Sequence, residues 1–125
     1  MMKNLLTGIG VFIPVSNLKQ STKWYENMLG FKLVYSDVPS ANTLALADGT
    51  ITFCLVKTDE KIEQPRFPTN QYGVDHYFNF HTKKVDEIYQ QLLDKGANVG
   101  DIHEVDGMRG FELYDPDGNR FSVIQ

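Results

Sequence analysis

Three histidines, His76, His81 and His103, are the residues of this 125-residue chain best suited to move a proton or hold a metal. His76 directly follows Asp75, and a carboxylate beside an imidazole can fix its tautomer for acid/base work. Neighbours along a strand point to opposite faces, however, so Asp75 and His76 are expected not to touch, and His76 reads as a solvated or edge histidine. The one cysteine, Cys54, lies in an alternating apolar run and is expected to face a helix as a small core residue. Arg109 and Arg120 flank the last hairpin and could steer an anionic ligand, although exposed salt bridges explain them equally well. No CxxC pair and no serine in a strand-to-helix elbow occurs. Gly8-Ile9-Gly10 lacks the later glycine of a phosphate-cradling loop.

The elements that must position these residues repeat once. Val11, Ile13 and Val15 alternate as a half-buried strand, and Ser16 or Asn17 can cap the helix that follows. Leu18, Ser21, Tyr25, Met28 and Leu29 then recur at helical spacing until Gly30, and Phe31 to Ser36 resumes as a strand. Tyr25 belongs to the buried stripe, and Trp24 flanks it. In the second segment Phe78, Phe80 and Thr82 alternate, and Val85, Ile88, Leu92 and Leu93 mark a helix that Gly96 ends. Each segment closes on a hairpin, one turning at Asp48-Gly49 and the other at Asp115-Pro116-Asp117-Gly118-Asn119. The pattern predicts βαβββ twice within one domain, as modules of about residues 5–57 and 73–125 joined by a polar linker at 58–72 that holds Pro65 and Pro68.

Composition narrows the partners. The formal net charge is -4, and charges of both signs are interspersed, which offers nothing to nucleic acid or to an anionic membrane surface. No apolar run approaches the roughly 18 residues of a spanning helix. The N-terminal stretch from Met1 to Val15 alternates like a strand and lacks the features of a signal peptide. A single cysteine fits a reducing compartment, so a cytoplasmic protein is expected.

The stretches Val11 to Leu18 (VFIPVSNL), Ser21 to Phe31 (STKWYENMLGF) and Asp115 to Gln125 (DPDGNRFSVIQ), set in that repeat, resemble the vicinal oxygen chelate superfamily of glyoxalase I, extradiol dioxygenases and bleomycin and fosfomycin resistance proteins. The resemblance implies an α+β fold of two βαβββ modules forming an incomplete eight-stranded barrel, with ligands in its half-open cup and a homodimer as the usual assembly. It also implies a divalent metal held by a histidine opening each module's first strand and a glutamate near the end of its last. Counted from the shared motifs, those positions hold Gly10, Tyr77, Phe53 and Ser122, a set no divalent ion selects, so neither metal nor other cofactor is expected. A shifted metal set of His81, His103 and Glu112 is the alternative.

Strand parity, taken with the resemblance, turns Phe12, Pro14, Ile51, Phe53 and Leu55 of the first module toward the cup. From the second come Tyr77, Asn79, His81, Ser122 and Glu112. That lining is mostly apolar with a few hydrogen-bonding groups, as in a small-molecule pocket. The expected function is metal-free binding of a small hydrophobic or aromatic molecule, for sequestration or resistance. The competing readings are a metal-dependent lyase or dioxygenase with shifted ligands, and an interaction module whose cup is filled.

Overall fold

The computed structural model describes residues 4–125; Met1–Lys3, the start of the stretch read above as strand-like, lie outside them. Two compact units follow one another, the first ending at Ile62 and the second beginning at Glu63.

The first unit runs β1 (Ile9–Val15), α1 (Leu18–Leu29), β2 (Lys32–Asp37), β3 (Ala41–Leu46) and β4 (Ile51–Lys57). Its sheet order is β1-β4-β3-β2, with β1 parallel to β4 and the other pairs antiparallel. The Asn17 side chain accepts the Gln20 N–H at 3.0 Å and so satisfies one free donor of the first turn of α1. Gly30 ends the helix at φ 76°, a conformation a Cβ would disfavour.

Leu18, Ser21, Thr22 and Tyr25 form the buried stripe of α1. Tyr25 is fully buried, with ring contacts to Phe31 at 5.8 Å and to Phe53 at 5.9 Å. Ile13, Val15, Leu44 and Leu55 complete this core. Of the buried polar groups within it, Ser21 Oγ has no partner among the described residues, whereas Asn42 and Thr22 are paired. Ser36 donates to Asn42, the Asn42 amide donates to Thr22, and the Thr22 hydroxyl donates to the Leu18 carbonyl.

The second unit runs β5 (Asn79–His81), α2 (Val85–Asp94), β6 (Asn98–Val99), β7 (His103–Val105), β8 (Met108–Tyr114) and β9 (Arg120–Ile124). Its sheet order is β5-β9-β8-β6, with β7 also on β8. The single strand expected after α2 is thus two short ones. The ladder continues from β6 through Gly100 N–H to the Glu112 carbonyl, then slips by one residue before His103 pairs with Gly110. An extra residue at Asp101–Ile102 therefore breaks the strand as a bulge does.

The core of this unit is Val85, Leu92, Phe111, Leu113, Phe121 and Val123, and Tyr89 of α2 meets Phe111 at 4.9 Å. The turn at Asp115–Asn119 is a closed network. The buried Asp115 carboxylate accepts the backbone N–H groups of Asp117 and Asn119 at 2.9 Å each, and the Asn119 amide at 2.8 Å. Gln64 clips the turn from outside, donating to Asn119 at 3.1 Å and accepting the Arg120 N–H at 3.0 Å.

Candidate functional site

In each sheet, residues paired across neighbouring strands share a face, so the ladders assign every side chain. In the first unit Phe53 meets Tyr25 of α1, which makes the Phe53 row the helix face. Val11, Leu44 and Phe53 share that row, and Ile13, Asn42 and Leu55 share the next one on the same face. Phe53 is 4% exposed and Leu55 0%. The structure therefore corrects the expected lining: Phe53, Leu55 and the half-buried Ile51 point at the helix, not away from it. Phe12 and Pro14 do lie on the open face, and Phe12 is 78% exposed. Cys54, expected toward the helix, pairs with Phe12 and Thr43 and lies on the open face as well.

Hairpin length explains the error. The first hairpin has four loop residues and closes on Leu46 and Ile51, a helix-face pair. The second has five and closes on Tyr114 and Arg120, an open-face pair. Equal counts past Gly49 and Gly118 consequently land on opposite faces, since the side-chain period is two. Matched by face, the counterpart of Ser122 is Cys54, and the counterpart of Asn79 is Phe12.

In the second unit the parity holds. Asn79, Ser122 and Glu112 form one row across β5, β9 and β8, on the face away from Phe111, Phe121 and Val123. His81 lies on the same face, exposed. Tyr77 precedes β5, half exposed, with its ring 5.0 Å from Phe67 and 6.2 Å from Phe78. His103 is exposed on β7, its Nδ1 3.2 Å from the Asp101 carbonyl.

Around Ser122 the structure gathers a polar cluster that sequence reasoning had dispersed. His76 Nδ1 is 2.8 Å from Asp75 Oδ1, so the expectation that these neighbours stay apart is overturned. The reason is that β5 begins only at Asn79, and alternation does not govern the irregular backbone at Asp75–His76. His76 Nε2 lies 2.5 Å from Ser122 Oγ. Arg120 donates to Glu112 at 2.9 Å and to Asp75 at 3.2 Å, bridging the two carboxylates. Ser122 is 8% exposed.

The electrostatics follow from these contacts. The His76 hydrogen bond holds the Asp75 carboxyl below its ordinary value; partial burial opposes this, and Arg120 adds to it. Burial pulls the Arg120 guanidinium down, but its hydrogen bonds to Glu112 and Asp75 outweigh that and leave it raised. Arg109 is also salt-bridged, to Asp86 of α2 at 2.6 and 3.0 Å, and is therefore committed to an exposed pair.

A folded-state pKa below the unfolded one adds stability that is present above the unfolded value and is lost as pH falls through the folded value. Asp75→Asn should accordingly lower stability in urea at pH 6, and the gap from wild type should close as pH falls below about 3.8. An equal gap at pH 3 and pH 6 would show that the Asp75 contacts carry no charge-dependent stability.

A family model, Glyoxalase/Bleomycin resistance protein/Dioxygenase superfamily, matches residues 8–123, nearly the whole chain. The chain belongs to this superfamily. Solved structures of the superfamily's fold agree. Over 94% of this chain and 96% of the other, it superposes with a TM-score of 0.77 and 20% identity on an integron cassette protein from the mobile metagenome of the Halifax Harbour sewage outfall. Lactoylglutathione lyase from Agrobacterium tumefaciens gives 0.71 and 17%, over 93% and 90% of the two chains. The fosfomycin resistance protein FosX from Listeria monocytogenes, in complex with Mn(II) and dihydroxypropylphosphonic acid, gives 0.73 and 18%, over 92% and 88%. No curated protein matches in sequence.

Superfamily enzymes use a divalent metal, and the residues here do not fit one. Of the expected donor positions, Gly10 and Ser122 lie on the open faces, Phe53 lies on the helix face with Cys54 beside it on the open one, and Tyr77 precedes β5. Among the described residues no three His, Cys, Asp or Glu side chains gather as a metal-holding group. The alternative set fails on distance. His81, Ile124, Gly110 and His103 form one row across four strands, which separates His81 from His103 by three strand spacings, about 14 Å. Glu112, its third member, is instead bound to Arg120.

Proposed function

We propose that this superfamily member binds a small, partly aromatic molecule without a divalent metal, for sequestration or resistance. The observation that carries the reading is Arg120. Its guanidinium sits between Asp75, joined to Ser122 through His76, and Glu112, the ladder partner of Ser122 at the superfamily's donor position. A fixed cation there satisfies both acids and repels a second positive ion, as a like charge at hydrogen-bonding range must. Exposed apolar side chains, Phe12 on the open face of the first unit and the half-exposed Tyr77 just ahead of β5 in the second, supply the surface an aromatic ligand would bury. Asn79, His81 and Ser122 supply the polar groups that would orient it.

Two features support assembly as a homodimer in the cytoplasm. β1 and β2 are the outer strands of the first sheet, and β5 and β6 those of the second, so backbone groups on their outer edges seek partners. No helix among the described residues is long and apolar enough to cross a membrane, and the lone cysteine suits a reducing compartment.

Isothermal titration with Mn²⁺, Zn²⁺ and Ni²⁺ tests the metal-free half of the proposal. No stoichiometric binding is expected, and one metal ion per chain at micromolar affinity would overturn it. Thermal-shift screening against aromatic metabolites and antibiotics tests the other half, because a ligand held by the native state alone raises the melting temperature. A library that leaves the melting temperature unmoved would favour a filled, non-binding face.

A further inference from the structure

The geometry points to Ser122 as a nucleophile, activated by His76 and oriented through Asp75, that takes the acyl group of a small carboxylic ester or thioester. The inference rests on the reading that the open face of the second unit admits a small molecule. Its substance is three residues in a line: Asp75 Oδ1 to His76 Nδ1 at 2.8 Å, and His76 Nε2 to Ser122 Oγ at 2.5 Å. An ionised carboxylate only accepts, so the contact with Asp75 places the imidazole proton on Nδ1. That leaves the Nε2 lone pair facing the Ser122 hydroxyl, which is the relation a general base must have to its nucleophile.

The supports of this line are fixed. Ser122 lies in the middle of β9 and donates its N–H to the Phe78 carbonyl at 3.1 Å, so its Cα is held by the sheet. Asp75 Oδ2 is held by Arg120, which leaves Oδ1 for the histidine. Arg120 precedes Ser122 by two residues on the same face of the strand, roughly 7 Å along it. Its Nε–H is buried and, among the described residues, has no hydrogen-bond partner. A buried donor left over beside a nucleophile has a natural use in the negative charge that develops on an attacked carbonyl oxygen.

The steps balance without a metal or redox partner. Ser122 Oγ bonds to the acyl carbon while its proton passes to His76 Nε2. The tetrahedral adduct collapses, the bond to the leaving alcohol or thiol breaks, and that group departs with the proton from Nε2. A water then attacks the acyl-serine and gives its proton to Nε2. Cleavage of the Oγ–acyl bond releases the carboxylic acid and restores the Ser122 hydroxyl.

The test is covalent labelling of the full chain with an alkyl fluorophosphonate, read by intact mass and peptide mapping. Attack forms an Oγ–P bond, breaks P–F and sends the serine proton to His76. One adduct on Ser122 is expected, absent in Ser122→Ala and slowed 100-fold or more in His76→Gln, with both variants shown folded by circular dichroism. Asp75 is a positioning residue in this scheme. Asp75→Asn should slow labelling at least tenfold, and Asp75→Glu should recover part of the loss, which a purely structural role would not do. Absence of an adduct, or an adduct that persists in folded Ser122→Ala, overturns the nucleophile. A chain that shifts its melting temperature with an aromatic ligand yet takes no label loses this inference and keeps the binding function. One that is labelled but binds no library compound does the reverse.

Discussion

Phe53→Ala is expected to cost about 3–5 kcal/mol of folding stability, and Phe12→Ala within about 0.5 kcal/mol of nothing. The two phenylalanines stand on adjacent strands, and a pocket-lining role would treat them alike. Their faces separate them. Phe53 is 4% exposed and meets Tyr25 at 5.9 Å and Phe31 at 4.9 Å, so truncation opens a cavity among three rings that the surrounding sheet and helix cannot close. Phe12 is 78% exposed on the open face and loses few contacts when shortened. Urea unfolding of both variants measures the difference. Comparable losses would mean that Phe12 is buried in solution, by a partner copy or a ligand. For ligand binding the order should invert, with Phe12→Ala weakening any aromatic ligand that occupies this face.

Asp115→Ala is the second large effect, about 3 kcal/mol. The carboxylate accepts three hydrogen bonds, from Asp117 N–H, Asn119 N–H and the Asn119 amide, and both Asp115 and Asn119 are buried. Truncation leaves those donors unpaired in a place water reaches poorly, and the penalty for an unmet buried donor exceeds the net worth of a met one. Asp117→Ala makes the control. Asp117 is only half-buried, and its backbone N–H, which donates to the Asp115 carboxylate, is kept by alanine. Thermal unfolding should show a large fall in melting temperature for Asp115→Ala and a small one for Asp117→Ala. Equal falls would deny that the network, as opposed to the turn's backbone shape, holds β8 to β9.

Much of the fold was readable because its signals are local. The stripe Leu18, Ser21, Tyr25 on α1, the cap at Asn17 and the stop at Gly30 each depend on a few neighbouring residues, and so does the turn at Asp48-Gly49. The candidate site was readable only in part, because its geometry depends on counts and on distance along the chain. Asn79, His81, Glu112 and Ser122 were placed on the correct face since the second hairpin closes on an open-face pair. Phe53 and Leu55 were misplaced since the first closes on a helix-face pair, and nothing in an Asp-Gly dipeptide announces its loop length. The meeting of Asp75 with His76 was hidden by treating a pre-strand segment as a strand. Its signal was the shortness of the alternating run, which supports only three ladder residues in β5. Gln64 reaches Asn119 across 55 residues of sequence, and no local pattern could have foretold that clip.

The four-residue and five-residue hairpins also decide where chemistry can be attached to this protein. They leave the two repeats with a sulfur and an oxygen nucleophile at the same place on their open faces, Cys54 in one and Ser122 in the other. Because Cys54 is the only thiol in the chain, a maleimide dye will mark the first unit at one known point. Soft and hard electrophiles thereby address the two halves of the molecule separately, with no engineered residue.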